Sequence, residues 1–559
     1  MSKYTIGIDF GTLSARAIVV DVSNGEEKGA CVMDYPHGVM SEYLSSGDKP
    51  IKLPNNWALQ DARDYLDVLY TVVPGAVNQA VKNNGISIDD IIAIGTDFTT
   101  CTLIPADNNG MPISLKPEYK NNPHAYVKLW KHHGAVEQAE RINNLALQRK
   151  ETWIDNYGGK ISSEWLFPKL LDIYENAPEI YNATDIFVEG TDWVPWILTG
   201  RLTRNTSALG YKAIWNDVDG FPGNEFLNAL SDGFADVIAS KLRGDIMPIA
   251  SCAGLLLPEI AAKLGLKPGI VVCTGNPDAH VCAPATKVTG PGKVFAIIGT
   301  SAVYMAMSEE LYPIKGICGI VKDGVLPGYY GYEAGQSCCG DHFSWFTKNC
   351  IPESYSIEAR QKCVSVHSLL REKALQLKTG ESGLLALDWW NGNRNILGDN
   401  DLTGIILGLN LNTKPEEIYR CLIEAVAFGA RKIIDTYRDN GIKVDSLYAA
   451  GGIAHKDPMM MQIYADVLNC PVYISGSLQA GALGSSIFAA VAAGSDKGGW
   501  DNISQAAEKM GTLQDVVYLP RPNETEIYNK IYKEYERLHD YFGRGENNVL
   551  KKLRTINNV

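Results

Sequence analysis

The sequence has 12 cysteines among its 559 residues, but no two of them are spaced as Cys-x-x-Cys. Cys338 and Cys339 are adjacent and are therefore poor disulfide partners, and Cys273, Cys421 and Cys470 lie in apolar runs. This spacing argues against both a disulfide framework and a zinc site. We expect reduced, mostly buried thiols, as in a cytoplasmic protein.

Long apolar runs and basic clusters are also lacking. No apolar run approaches the ~20 residues needed to cross a bilayer, and the chain reaches Asp9 before a signal-peptide core could form. The formal net charge is −13, and no basic stretch is interleaved with aromatic residues. Nucleic acids and anionic membranes attract basic surfaces. We therefore expect neither as a partner, and we expect a cytoplasmic location.

The sequence does have the composition of a soluble globular protein, with 45% hydrophobic and 21% charged residues. At roughly 100–200 residues per domain, its length allows three or four domains, although two large lobes fit equally well. Alternating apolar and polar residues, interrupted by Gly11-Thr12, predict a β-hairpin over residues 4–21. Asp9 ends its first strand. Such a turn can bind a phosphate while the carboxylate holds a hydrated metal ion, but an ordinary tight hairpin explains the same residues.

Two further segments place acidic residues at the carboxyl ends of predicted strands. Asp97 and Phe98 follow the apolar run at 91–95, and Asp278 follows a strand and falls in the first turn of a helix. Ligands bind at this end of the strands in open α/β sheets. Asp278 can accept a proton from a substrate hydroxyl there, or it can simply stabilise its helix.

The opening pattern then returns at residues 293–307, where Gly299-Thr300-Ser301 separate two strands. A repeated hairpin indicates a duplicated fold with two phosphate-binding turns. The glycine pair Gly451-Gly452, between a strand and a helix, lets a nucleotide approach the backbone. Segments rich in Trp and Tyr at residues 157–171 and 188–216 favour either polyol binding or plain core packing.

Two predictions concern helices. A small-residue helix at residues 479–494 is expected to serve packing. The C-terminal segment predicts a docking helix capped by Asn523 and Glu526. Its apolar face is expected to contain the following residues: Ile527, Ile531, Tyr535, Leu538 and Phe542.

Taken in order, these segments resemble the FGGY family of carbohydrate kinases, within the actin/Hsp70/hexokinase-like superfamily. The resemblance covers nearly the whole chain and is carried by DFGTLSAR at 9–16, GNPDAH at 275–280, IGTSA at 298–302, GLNL…EEIYRCLIEAVAFG at 408–429 and GGIAHK at 451–456. More narrowly, NNPHA, YGGKISSEW, GYKAIW and PGYYGYEAGQS are similar to the bacterial branch of the family that acts on L-ribulose in L-arabinose catabolism.

The resemblance implies a two-lobed α/β fold of duplicated ribonuclease-H-like domains with a central cleft. The N-terminal domain, residues 1–286, would hold the sugar, the first phosphate hairpin and the catalytic base. The C-terminal domain, residues 287–559, would hold the nucleotide and end in the docking helix. The implied reaction transfers the γ-phosphoryl group of ATP, with Mg²⁺, to O5 of L-ribulose.

The family motifs also imply roles for individual residues. Asp278 matches the general base, and Asp9 matches the metal-associated aspartate. Four positions match the sugar-binding neighbourhood: Asp97, Phe98, Lys212 and Glu333. Nine positions match the phosphate and nucleotide contacts: Gly11, Thr12, Gly299, Thr300, Ser301, Gly404, Gly451, Gly452 and Lys456. The implied partners are the sugar and MgATP, and a homodimer is left open.

Alternatives remain at this point. TDFTTC at residues 96–101 stands where xylulokinases carry Gln-Met-His, which disfavours D-xylulose. Another pentulose or a pentitol, such as D-ribulose or ribitol, is the alternative substrate. An actin- or Hsp70-like ATPase is the alternative outside sugar kinases, because those proteins share the two hairpins and the glycine pair.

Overall fold

A computed structural model describes residues 2–556 of the chain. Its strands are β1 Tyr4–Phe10, β2 Ser14–Asp21, β3 Glu27–Asp34, β4 Tyr43–Leu44, β5 Ile51–Lys52, β6 Leu59–Gln60, β7 Ile91–Phe98, β8 Leu103–Ala106, β9 Val127–Lys128, β10 Ile186–Glu189, β11 Thr203–Asn205, β12 Asp245–Met247, β13 Cys252–Leu255, β14 Val271–Cys273, β15 Asn276–Pro277, β16 Gly292–Ile298, β17 Ala302–Ser308, β18 Gly319–Lys322, β19 Tyr330–Gln336, β20 Leu385–Leu387, β21 Ile405–Leu407, β22 Val444–Ala450, β23 Val472–Ser475 and β24 Leu513–Tyr518.

Its helices are α1 Ala62–Asn84, α2 Val136–Arg149, α3 Leu166–Asn176, α4 Pro178–Ala183, α5 Gly190–Thr199, α6 Thr206–Lys212, α7 Asn224–Leu230, α8 Asp236–Lys241, α9 Pro258–Leu264, α10 Asp278–Ala285, α11 Gly340–Asn349, α12 Glu353–Gln361, α13 Val366–Ala374, α14 Pro415–Asp439, α15 Gly452–Lys456, α16 Pro458–Leu468, α17 Ala480–Ala493, α18 Ile503–Met510, α19 Pro522–Gly543 and α20 Val549–Thr555. Among residues 2–556, every helix is too short or too polar to cross a membrane.

The chain folds into two compact units. The first contains the chain up to Thr289 together with Gly319–Gly331 and Gln479–Thr512, and the second contains the remaining segments. Two stretches from the second half of the sequence therefore belong to the first unit. The sequence-based division of this chain into domains 1–286 and 287–559 stays a prediction.

The first unit is built on a sheet with the strand order β13-β14-β7-β1-β2-β3, in which β15 also pairs with β7. The predicted hairpin is confirmed, since β1 pairs antiparallel with β2. Ile6, Ile8 and Phe10 are fully buried in a hydrophobic core with residues of α1. The alternate residues, which include Gly7 and Asp9, face the opposite side of the sheet.

Helix α17 lies on that opposite side, and glycines bring it close to the sheet. A Cβ atom added to Gly7 would lie 1.7 Å from the carbonyl oxygen of Ala482, and one added to Gly95 would lie 2.0 Å from that of Ser485. No side chain larger than hydrogen fits at either position without movement of the backbone. The prediction that the small-residue helix serves packing is confirmed.

In the second unit, strands follow the order β19-β17-β16-β22-β23-β24. The second predicted hairpin is also confirmed, because β16 pairs antiparallel with β17 and Ile298 lies opposite Ala302. The long helix α14 begins at Pro415, where the Glu417 side chain accepts a hydrogen bond of 2.6 Å from the Lys414 N–H. That contact satisfies one of the free amides at the helix start.

The prediction for the C-terminal helix α19 is wrong about its cap and is confirmed only in part for its face, where Tyr535 is buried as expected. The cap is Arg521, which makes no side-chain capping hydrogen bond. The helix buries Thr525, Tyr528, Tyr532, Tyr535 and His539, whereas Ile527 is exposed. The interior offers the tyrosines polar partners that a hydrophobicity pattern does not reveal: Tyr528 donates to Glu424 and Tyr535 to Asp388, each at 2.9 Å.

We expect Tyr535→Phe to destabilise the second unit. Asp388 is buried, and burial raises its pKa to about 6. Loss of the tyrosine hydroxyl would leave one of its oxygens without this donor, at a cost of about 1–3 kcal/mol. Thermal unfolding should show a lower midpoint for Tyr535→Phe than for Tyr541→Phe, since Tyr541 is exposed on the same helix. Equal midpoints would show that the hydrogen bond from Tyr535 to Asp388 does not stabilise the unit.

Candidate functional site

Four polar residues form a row across four neighbouring strands of the first unit. Asp9 on β1 pairs with Arg16 on β2 and with Asp97 on β7, and Asp97 pairs in turn with Asn276 on β15. Residues paired in register project to the same face of a sheet. The row lies at the carboxyl end of β1 and β7, and Asp278 follows Asn276 by two residues as the first residue of α10.

Asp9 lies in this row beside a cation and a glycine. One of its carboxylate oxygens is 3.6 Å from the guanidinium of Arg16, which also donates a 3.2 Å hydrogen bond to the Ser14 hydroxyl. The other close neighbour is Gly481 of α17, where an added Cβ atom would lie only 2.6 Å from Asp9 Oδ2. Asp9 is therefore confined on both sides.

The structure encloses Asp97, which the sequence placed among sugar contacts. Its side chain is 0% exposed, and Oδ2 accepts a 2.6 Å hydrogen bond from the hydroxyl of Ser485. Burial and the carboxylates of Asp9 and Asp278 raise its pKa well above the usual range. Asp97 is thus an enclosed member of the row whose Oδ1 has no partner among the described residues, and its place in the sugar-binding neighbourhood stays a prediction.

Phe98 is enclosed as well. Its ring is 1% exposed and stacks on Phe10 at a centroid distance of 5.1 Å, with Tyr65 packed against its edge. It belongs to the hydrophobic core beneath the row. Helix α5 begins against this ring at Gly190, where an added Cβ atom would lie 2.6 Å from the Phe98 ring. The ring therefore packs beneath the row, and its place in the sugar-binding neighbourhood stays a prediction.

Several buried polar atoms around the row have no hydrogen-bond partner among the described residues. They are Asp97 Oδ1, Asn276 Nδ2, Thr96 Oγ1, Thr191 Oγ1 and the Nε atom of Arg16. Buried polar groups are rarely left unsatisfied. Such a concentration indicates a site in which water or a bound ligand completes the hydrogen bonding.

Asp278 is the acidic residue of this group that remains accessible. It is half-buried, and its Oδ1 accepts a 2.8 Å hydrogen bond from the N–H of Ala279 in its own helix turn. This bond fixes the carboxylate at the start of α10. The prediction that it lies in the first helical turn is confirmed.

Lys212 ends α6 and is 6% exposed. Its ammonium nitrogen lies 5.5 Å from the ring centroid of Trp165 and 5.8 Å from that of Tyr211. Glu189 is among the charges nearby, and burial, reinforced by Asp192, raises the pKa of Glu189 to about 7. Much of the Trp- and Tyr-rich sequence is core, as the 3% exposure of Trp165 shows.

The turn of the first hairpin is held by residues that the sequence did not indicate. Gly11 donates a 3.0 Å hydrogen bond to the carbonyl of Ser14. Trp130 Nε1 donates to the Thr12 hydroxyl at 3.0 Å, and Gln60 donates to the Thr12 carbonyl at 2.8 Å. Because an indole N–H only donates, the Thr12 hydroxyl accepts from it and keeps its own proton for another group.

In the second unit, the turn of the second hairpin lies next to the glycine pair. Gly451 has φ +98°, and an added Cβ atom there would lie 2.5 Å from the carbonyl oxygen of Ile298, the last residue of β16. The carbonyl groups of Gly299 and Thr300 accept hydrogen bonds of 2.9 and 2.8 Å from Gly340 and Cys339. The backbone of residues 299–301 is thus fixed while the Thr300 side chain stays exposed.

The second unit contains three further residues that the family motifs assign to the nucleotide or the sugar: Lys456, Gly404 and Glu333. Lys456 is exposed at the end of α15, and its carbonyl accepts a 2.7 Å hydrogen bond from Arg371. Gly404 comes just before β21 and packs on the ring of Trp390. Glu333 is buried in β19, and its carbonyl accepts a 2.8 Å hydrogen bond from Cys318.

A dedicated metal cage is not found: among residues 2–556, no three His, Cys, Asp or Glu side chains are grouped to hold an ion. Magnesium in phosphate-transferring sites is commonly held by one or two carboxylates together with the phosphates. Asp9, confined beside Arg16, suits that arrangement.

Sequence comparisons identify the family directly. The N-terminal domain model of the FGGY family of carbohydrate kinases matches residues 4–283, and the C-terminal domain model matches residues 294–493. A protein from Halalkalibacterium halodurans named ribulokinase is 50% identical over 558 residues, covering 100% of this chain and 98% of its own. The ribulokinase of Geobacillus thermodenitrificans is 48% identical over 552 residues, covering 99% and 97%.

Solved structures show the same fold. Gluconate kinase from Lactobacillus acidophilus superposes with a TM-score of 0.79 at 18% identity, covering 98% of this chain and 99% of its own. Plasmodium falciparum glycerol kinase with ADP has a TM-score of 0.73 at 17% identity, covering 96% and 98%. The family models and the relatives named ribulokinase replace the actin- or Hsp70-like ATPase as the interpretation of the repeated hairpins. The chain belongs to the FGGY family of carbohydrate kinases.

Proposed function

We propose that this enzyme transfers the γ-phosphoryl group of ATP, supplied as its Mg²⁺ complex, to O5 of L-ribulose. The observation that carries the substrate is the near-complete coverage of this chain by relatives named ribulokinase at 48–50% identity. The structure supports the chemistry, because an accessible carboxylate adjoins a row of confined charges.

Asp278 is proposed as the general base. It lies at the mouth of the parallel strands, and the Ala279 N–H fixes one of its oxygens. The other oxygen would accept the proton of the sugar hydroxyl as that hydroxyl attacks phosphorus. A positioned base of this kind contributes about 10²–10⁴-fold to a rate.

The phosphate groups are proposed to meet the two glycine turns, each within its own unit. In the first unit the phosphate contacts would be Gly11, which has no side chain to cover the turn backbone, and Thr12, whose hydroxyl keeps its proton free to donate. In the second unit, the phosphate contacts would be Gly299, Thr300 and Ser301, and the nucleotide contacts would be Gly404, Gly451, Gly452 and Lys456. Phosphoryl transfer depends mainly on such alignment and charge neutralisation.

Asp9 is proposed to hold the hydrated magnesium ion that arrives with ATP. The ion would offset phosphate charge in a protein whose own net charge is −13. For the sugar, we propose Lys212 and Glu333 as contacts. Asp97 and Phe98, whose side chains are enclosed, are proposed as further members of the sugar-binding neighbourhood.

A substrate panel tests the proposal. Purified protein with MgATP should release ADP with L-ribulose, and kcat/KM should be higher for L-ribulose than for D-ribulose or ribitol. Coupling of the product's phosphorus to the protons on C5 in NMR should place the phosphate on O5. A higher kcat/KM for D-ribulose or ribitol would favour the alternative substrate. ADP release that no sugar stimulates would overturn the proposal.

A further inference from the structure

Helix α17 covers the face of the sheet that carries the acidic row, although it comes from the other half of the sequence. The helix is close to β1 and β7 because Gly7 and Gly95 have no side chains there. Two residues further along each strand, on the same face, are Asp9 and Asp97. The spacing that lets the helix lie on the sheet therefore also brings it against both carboxylates.

Ser485 makes the polar contact from this helix to the row. It is 1% exposed, and its hydroxyl donates to Asp97 Oδ2 at 2.6 Å across 388 residues of sequence. The second oxygen, Oδ1, has no partner among the described residues. This bond restricts rotation of the carboxyl group about its Cβ–Cγ bond, so Ser485 helps to set the direction of the second oxygen.

A buried polar group that loses its hydrogen-bond partner is left with an unfavourable desolvation that no contact offsets. If the Ser485 donor is lost, Asp97 is left fully buried beside Asp9 and Asp278 with no donor from α17. The Asp97 carboxyl group can then rotate. The carboxylates of Asp9 and Asp278 shift in turn, because they interact electrostatically with it. Misplacements of even 1 Å near reacting groups are costly, up to about 10²-fold in rate.

We propose that Ser485 is a positioning residue of the phosphoryl-transfer reaction, acting through Asp97 on the acidic row. This inference rests on the proposed function, because it assigns the row to catalysis. It gives α17 a role beyond packing, because the helix orients the carboxyl group of Asp97, from which it is distant in the sequence.

The chain offers a matched control one residue away. Ser486 is equally buried on the same helix, but its hydroxyl pairs with that of Thr5 at 2.5 Å and not with a carboxylate. Ser485→Ala and Ser486→Ala remove the same atoms from the same environment. They differ in whether the lost partner belongs to the acidic row.

The experiment is a double-mutant cycle on ADP release with L-ribulose, with thermal midpoints measured for every variant. We expect Ser485→Ala to lower kcat/KM about 5- to 20-fold and Ser486→Ala less than twofold. If Ser485 acts through Asp97, the variant carrying both Ser485→Ala and Asp97→Asn should be no slower than Asp97→Asn alone. If Ser485→Ala does not fold, Ser485→Cys, with its weak donor, takes its place in the cycle.

The outcomes separate this inference from the proposed function. Wild-type protein without sugar-dependent ADP release would overturn the proposed function and this inference with it. Active wild-type protein with equal losses in Ser485→Ala and Ser486→Ala would overturn the inference alone. So would losses from Ser485→Ala and Asp97→Asn that multiply in the double variant.

Discussion

Asp278→Asn should reduce ADP release with L-ribulose by about 10²–10⁴-fold while sugar binding persists. The substitution keeps the shape of the side chain, and the amide oxygen still accepts the hydrogen bond from the Ala279 N–H. What it removes is the oxygen that takes the hydroxyl proton. The loss should therefore appear in kcat and not in the dissociation constant of the sugar.

Steady-state ADP release and calorimetric titration of L-ribulose would measure the two quantities separately. Asp245→Asn is a suitable control, because Asp245 is an exposed acid whose ion pair with Arg201 lies at the surface. The control should keep wild-type kcat. Near-normal turnover by Asp278→Asn would remove Asp278 from the role of base, whatever the sugar preference proves to be.

The features predictable from sequence were those encoded within a short stretch of chain. Period-2 alternation identified the first hairpin, and the recurrence of a Gly-Thr turn identified the second. Pro277 and the preceding apolar run placed Asp278 in the first turn of its helix. Each of these depends on local backbone preferences, which neighbouring residues determine.

Features that depend on register and long-range packing could not be read in this way. The alignment of Arg16, Asp9, Asp97 and Asn276 is fixed by pairing among four strands, and no local pattern specifies that pairing. The contact from Ser485 spans 388 residues. Burial is set by long-range packing as well: Asp97 and Phe98 end a strand, and the elements packed over them enclose both side chains.

Gly481→Ala should lower activity about 10- to 100-fold without lowering stability. The three atoms nearest to an added Cβ atom all belong to the Asp9 side chain, the closest at 2.6 Å. The methyl group would therefore displace that carboxylate and little else, and small displacements of groups near the reacting atoms carry costs of this order. In the helix itself, alanine is favoured over glycine by about 1 kcal/mol.

Gly484→Ala, one turn along the same helix, should show the opposite behaviour. Its added Cβ atom would lie 1.8 Å from the carbonyl oxygen of Val281 in α10, and a backbone atom has no alternative rotamer. Overpacking of this kind costs about 1–3 kcal/mol and should lower the thermal midpoint.

Thermal unfolding and ADP release on both variants would test the contrast. Gly481→Ala could instead lower the thermal midpoint, with activity falling only in proportion to the folded fraction. That result would show that the added methyl group disturbs the packing of the helix. Displacement of the Asp9 carboxylate would then be rejected as the cause of the lost activity.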